Sequence, residues 1–192
     1  MRIIIACEES ARVREAFRRR GHDAWSCDIL PSAIPGQHIQ DNILNHLQDG
    51  WDAMIAFPPC TYLCNSGVRW LYERPGRWRL MEKAAVFFRR LMNAYKAPYR
   101  IPKIGLENPI MHKHAKRIIC RDYTQIIQPW QFGHGETKAT CLWLRGFPKL
   151  KPTDIVEGRE ARIHKMPPGP KRSKERSRTY IGIAEAMAEQ WG

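Results

Sequence analysis

Two short motifs carry the side chains of this chain best suited to covalent chemistry. Asp52-Ala-Met-Ile-Ala-Phe-Pro58-Pro59-Cys60 ends an apolar run in a proline pair and a thiol, with Cys64 and Gly67 following. Ile104-Gly-Leu-Glu107-Asn108-Pro109 ends another apolar run in a carboxyl and a carboxamide. A thiolate is an intrinsically strong nucleophile, and a carboxyl beside it can give or take a proton. A thiol after two prolines can equally be a small plug at a strand end. The acid at the matching end of another strand favours chemistry. Zinc fits less well: Cys60 and Cys64 are separated by three residues and His112 and His114 by one, neither a usual structural-site spacing. No metal is expected. The other cysteines (Cys7, Cys27, Cys120, Cys141) lie in apolar surroundings in a chain without a secretion signal, which does not read as a secreted disulfide framework.

The elements that must position these groups alternate along the chain. Arg2 to Cys7 is a β-branched run typical of a buried strand. Ala11–Arg20 follows as a helix, with Val13, Ala16 and Phe17 on one face, arginines on the other, Ser10 as its cap and Gly21 as its stop. Further strands fit Asp23 to Ile29, Trp51 to Phe57 and Ile104 to Leu106. Helices fit Asn42 to Leu47, Arg79 to Tyr95 and Ile181 to Gln190. Thr124–Phe132 and Ala139–Leu144 predict a C-terminal β-hairpin around His134-Gly135. Such alternation predicts an α/β fold, mostly a parallel sheet with helices on both faces. Ligands in such folds bind at the carboxyl ends of the strands, where Cys7-Glu8-Glu9, Asp28, Pro58-Pro59-Cys60 and Glu107-Asn108 all fall.

The chain has 192 residues, enough for one domain with a real core, and 32 Lys and Arg against 19 Asp and Glu. The resulting +13 is concentrated. Arg69 to Arg100 carries a net +7 and Arg159 to Arg178 a net +6, leaving the rest balanced. Two basic faces on a neutral body point to a polyanion, nucleic acid above all. Residues 149–177, rich in Pro, Gly and basic side chains, read as an extended arm or loop. No apolar run is long enough to span a membrane. A cytoplasmic location is expected, with no membrane contact and no protein partner required.

The two motifs resemble those of the cytosine-C5 DNA methyltransferases, particularly the small methylase-like proteins of bacteriophages. That family carries Pro-Pro-Cys at a strand end, with a Ser four and a Gly seven residues after the Cys, and Glu-Asn-Val on the following strand. Here Pro58-Pro59-Cys60 and Gly67 match, Cys64 replaces the Ser and Pro109 the Val. The resemblance implies a Rossmann-like class I methyltransferase fold and methyl transfer from S-adenosylmethionine to C5 of cytosine. C5 is a poor nucleophile, so a thiolate adds to C6 and makes an enamine that can attack a methyl group. Charge moves toward N3, where a carboxyl can stabilise it. By resemblance Cys60 is that nucleophile, Glu107 that carboxyl, and Lys138 stands for an arginine that contacts the cytosine carbonyl.

The resemblance also assigns cofactor contacts to Cys7, Glu8, Glu9 and Ser10 (in place of a Gly-rich turn), to Asp28 for the ribose, to Asp41 for the adenine amine, and to Pro58. Phe17-x-x-x-Gly21 and the ending Arg178-Thr-Tyr-Ile-Gly182 also match. Two departures stand out. Glu8 and Glu9 put carboxylates where the donor's amino-acid end should lie. Only about thirty residues, Arg145 to Ser177, stand where the family inserts a target-recognition domain. Low sequence selectivity on double-stranded DNA is therefore expected, with Arg69, Arg74, Arg77, Lys165, Lys171, Arg172 and Lys174 as contacts. Such methylation masks restriction sites in bacterial and viral genomes. Modification of a free cytosine nucleotide, or DNA binding without catalysis, are the competing readings.

Overall fold

A short apolar strand with no polar face must be buried on both sides, and β1 (Arg2–Ala6) shows how this is done. Ile3 and Ile5 point into one apolar layer, Ile4 and Ala6 into the other. The computed structural model describes residues 1–169 and 172–192. It places seven strands in one sheet, ordered β3-β2-β1-β4-β5-β7-β6. β1, β2 (Asp23–Asp28), β3 (His38–Gln40), β4 (Ala53–Ala56) and β5 (Lys103–Pro109) are parallel. β7 (Thr140–Arg145) runs antiparallel between β5 and β6 (Gln125–Ile127).

α1 (Arg12–Arg19) and α7 (Ile181–Trp191) cover one face, burying Phe17, Met187 and Trp191. α3 (Arg77–Met92) and α4 (Lys113–Ile119) cover the other, where Phe88 meets Trp143 edge-on. α2 (Trp70–Glu73), α5 (Arg162–Lys165) and α6 (Arg172–Ser177) are short. The expected hairpin exists, but its second strand is inserted beside β5. β3, α2 and α4 are additions, because three to seven residues carry too little periodicity to be read.

Two expectations near β1 are overturned. Ser10 does not cap α1. The cap position is Ala11, in the left-handed region at φ 58°, and the capping carboxylate is that of Glu8. Its Oε1 accepts from the Val13 amide at 2.7 Å and its Oε2 from the Arg14 amide at 3.2 Å. Arg14 does not face water with the other arginines of α1. It is fully buried, donating to Ser26, Ser32 and the carbonyls of Ile34 and Pro35. One guanidinium thereby organises the loop after β2.

The described residues of 149–177 are mostly loop with two short helices, held against the body of the fold. Parallel bridges pair Asp154 with Phe132 and Glu160 with Glu136. Ile163 is buried in the α1/α7 layer. Glu136 holds this segment from below, accepting from Arg162 at 2.8 Å and from the Tyr180 hydroxyl at 2.7 Å. Gly182 explains itself here: a Cβ at that position would lie 1.9 Å from the carbonyl oxygen of Phe132.

Burial pushes the Glu8 carboxyl up from 4.5 to about 7, against the pull of two amides and Arg14. The folded state therefore favours the protonated acid, and its preference fades as pH rises through that window. Relative to Glu8→Gln, the wild type should lose melting temperature between about pH 4.5 and pH 7 and hold a constant difference above it. Glu8→Ala should cost about 1–2 kcal/mol in denaturant unfolding, the value of a helix cap.

Candidate active site

β4 and β5 are adjacent and parallel, so the loops leaving their carboxyl ends meet. The β4 loop turns at once. The Cys60 carbonyl accepts from the amides of Leu63 at 2.9 Å and Cys64 at 3.0 Å, a single α-turn. The β5 loop fastens it. Asn108, fully buried, donates from Nδ2 to the Pro58 carbonyl at 2.8 Å. Asn65 N–H reaches the Ile110 carbonyl, and Cys64 bridges Met111. His112 accepts from the Ala115 amide through Nδ1, so Nε2 carries the proton and donates to the Tyr62 carbonyl at 3.0 Å. Pro58 is thus buried as part of this latch, not a wall of the cavity, which corrects its assignment to the cofactor. The Asn108 Oδ1 is buried without a hydrogen-bond partner among the described residues.

Cys60, Glu107 and Lys138 lie near enough to act on one another electrostatically. Glu107 is half-buried, and desolvation raises its pKa while Lys138 pulls the other way. The Cys60 thiol is raised too, by a hydrogen bond with Cys64, by burial, and by the charges of Cys64 and Glu107; Lys138 opposes them. Lys138 is fixed by Nζ donating to the Arg176 carbonyl at 2.9 Å. Cys64 moves in the opposite direction, lowered by its interaction with Cys60 and, against burial, by Ser66, Gly67 and Arg176. Sequence reasoning left Cys64 without a role, and Arg176 unnoticed. Neither has a signal in spacing alone.

A cavity of 1400 Å³ opens along the carboxyl ends of β1, β2 and β4 and reaches Cys60, Cys64 and Lys138. Cys7, Glu8, Glu9, Ser10, Asp28 and Asp41 all contribute to its wall. Burial and the charge of Asp28 raise the Cys7 thiol, which makes it inert. Asp28 ends β2 with Oδ1 accepting from the Leu30 amide at 2.9 Å. Asp41 is engaged at both oxygens, by Asn42 at one and by Asn45 and His46 at the other, which lowers its pKa. Ile29, Leu30, Ile43 and Phe57 supply apolar wall beside Asp28. That end fits an adenosine group. The amide cradle of α1 has no room for a ligand's anionic group, because the Glu8 carboxyl already fills it. Arg172, Arg176 and Arg178 line another part of the same cavity. The Nε atoms of Arg172 and Arg178 are buried without a partner among the described residues.

The basic residues divide into two kinds. Arg69 and Arg74 are exposed, each stacked on Trp70 at 4.3 and 4.0 Å from the ring centre. Beside them Tyr72 and Trp78 stand exposed and edge-on, 5.5 Å apart. Arg77 corrects the reading of a free DNA contact: it donates to the Thr61 carbonyl at 3.0 Å and stacks on Tyr62, so it braces the Cys60 loop. Lys165 is exposed, while Arg172 faces the cavity. Lys171 and the side chain of Lys174 lie outside the described residues. Among the described residues no cluster of His, Cys, Asp and Glu is placed to hold a metal ion. Among the described residues no helix is long and apolar enough to cross a membrane.

No family model and no curated protein matches the chain. Solved structures do. The Entamoeba histolytica methyltransferase EhMeth aligns over 80% of this chain and 57% of its own, at 16% identity and a TM-score of 0.50. An E. coli protein described as a DNA modification methyltransferase encoded within a prophage aligns over 86% of this chain and 55% of its own, at 13% identity. Its TM-score of 0.49 is too low to bear on fold or function. The chain spans little more than half the length of either. The likeness to EhMeth establishes the fold, a Rossmann-like α/β sheet shared with a methyltransferase.

Because Lys138 is the cation that opposes the desolvation of Glu107, Lys138→Met should raise the Glu107 pKa further. Carboxyl carbon NMR titration of both proteins would read this directly; an unchanged midpoint would show that the two charges do not communicate.

Proposed function

We propose that this chain methylates C5 of cytosine in double-stranded DNA, using S-adenosylmethionine and a covalent adduct at Cys60, with low sequence selectivity. The observation that supports this reading is the nearness of Cys60, Glu107 and Lys138, which act on one another electrostatically, with Cys60 and Lys138 on the wall of one cavity. When bound, S-adenosylmethionine supplies an electrophilic methyl group. Asp28 would hold its ribose hydroxyls and Ile29, Leu30, Ile43 and Phe57 its base. The Cys60 sulfur adds to C6 of a cytosine turned out of the duplex. A protonated Glu107, favoured by its raised pKa, donates to N3 as charge arrives there. Lys138 offers a point charge to the cytosine carbonyl.

The whole chain serves as one catalytic domain in this reading, with the basic segment 149–177 in place of a recognition domain. It acts in the cytoplasm of a bacterium or of a phage-infected host. Arg69 and Arg74, held against Trp70, and the exposed Lys165 would meet phosphates, which position a duplex without reading it. A second reading has one specific support. Arg172, Arg176 and Arg178 in the cavity wall suit the phosphate of a free cytosine nucleotide.

Plasmid DNA incubated with tritiated S-adenosylmethionine should acquire label at cytosines, and bisulfite sequencing should show loose context. Cys60→Ala should abolish label and leave DNA affinity within about threefold, since Cys60 makes no phosphate contact. Arg69→Ala and Arg74→Ala should each reduce the salt slope of DNA binding by about 1. Label in free dCMP with none in DNA would establish the nucleotide reading instead.

A further inference from the structure

Tyr72 and Trp78 are large aromatic side chains that the fold fixes in place while leaving them in contact with water. Tyr72 is 67% exposed and Trp78 38%. The Tyr72 hydroxyl, on α2, lies 3.0 Å from Nε2 of His114 on α4. The Trp78 ring, in the first turn of α3, meets Tyr72 edge-on at 5.5 Å and His114 edge-on at 4.9 Å. Three helices thus each give one ring to a single cluster. Edge-on contacts cover less of a ring than stacking does, so flat aromatic surface stays open. Core burial does not account for this arrangement, because exposed rings add little to it. Holding Tyr72 by its hydroxyl also removes side-chain freedom that a surface residue otherwise keeps. Rings ordered in advance lose less freedom when a flat partner lands on them.

The surroundings are positive. Arg69 and Arg74, on either side of Tyr72 in sequence, lie flat on Trp70, and Arg79 follows Trp78 and is exposed. On α4, Lys113 and Arg117 are close enough to His114 to lower its pKa, together with burial and His112. Glu73 and Glu82 are the two acids between Arg69 and Arg100, against nine cations. Open rings set among cations fit a polyanion whose phosphates meet the cations and whose bases lie on the rings. A duplex keeps its base faces against one another, so the fit is to unpaired bases. We propose that the α2/α3/α4 corner is a stacking site for unpaired bases and gives this protein affinity for single-stranded nucleic acid. The site does not rest on the methyl-transfer reading, and none of its three rings lines the cavity. It does share a frame with the Cys60 loop. Arg77, next to Trp78, holds the Thr61 carbonyl, and His112, two residues before His114, holds that of Tyr62.

The test uses the full-length protein without a methyl donor. Fluorescence anisotropy compares a labelled oligothymidylate of about twelve nucleotides, an oligouridylate, and an abasic strand of the same length and charge. The tighter of the two base-bearing strands should bind about tenfold or more above the abasic one, the value of about one stacked base, and it identifies DNA or RNA as the strand. Tyr72→Ala and Trp78→Ala should each remove most of that difference, while Tyr72→Phe, which keeps the ring, should retain most of it. Irradiation of the wild type with a strand carrying 5-iodouracil should give peptide adducts at Tyr72, Trp78 or His114. Equal binding of abasic and base-bearing strands, or adducts only on cavity residues such as Phe87, would overturn the proposal. So would an unchanged preference in the protein carrying both Tyr72→Ala and Trp78→Ala. Self-association that Tyr72→Ala abolishes would assign the cluster to a second copy of this chain instead. The crosslinking is read on the wild type, so it decides the point even where a variant folds poorly.

Discussion

A carbonyl at a strand end and a carboxamide on the next strand hold this site together. Asn108 Nδ2 reaches the Pro58 carbonyl across adjacent parallel strands, and both groups are buried. A buried carbonyl without a donor is costly, so the loop after β4 has one stable place to leave the sheet. From that fixed point the Pro59-Cys60 turn is determined within a few residues. The Cys60 sulfur then falls beside Glu107, the immediate neighbour of Asn108. Arg77 and His112 brace the same loop through the carbonyls of Thr61 and Tyr62. A nucleophile on a loop gains strand-like precision in this way.

Glu8 has a comparable effect on the other side of the cavity. In a doubly wound fold the free amides at the start of the first helix are the natural seat for a ligand's anionic group. Here the chain fills that seat with its own carboxylate, and Ala11 takes the left-handed backbone there in place of a glycine. The cavity must therefore satisfy any ligand carboxylate or phosphate elsewhere. Arg172, Arg176 and Arg178 supply positive charge to the wall of the same cavity.

The positive charge is likewise not one surface. The guanidiniums of Arg69 and Arg74 lie flat on an indole and remain exposed, which limits their rotamer freedom without neutralising them. Arg14 and Arg77 are spent on loop carbonyls, and Arg162 on Glu136. A formal count treats all of them alike.

The alternation of strands and helices, the two apolar layers and the strand ends that carry Cys60, Glu107 and Asp28 were legible in the sequence, because each is set by local periodicity and by where a run of apolar residues stops. Pro-Pro-Cys and Glu-Asn could be paired before any coordinates, since parallel strands put their loops at one end. What the sequence could not show is how side chains distant along the chain share charge. Glu8 read as a ligand contact and became a helix cap; Pro58 read as a cofactor wall and became a latch. Cys64 had no assigned role, and Ser66, Gly67 and Arg176 around it come from the packing. Hydrogen bonds and Coulomb interactions depend on distances of a few ångströms between atoms, and only the packing of the whole sheet fixes those.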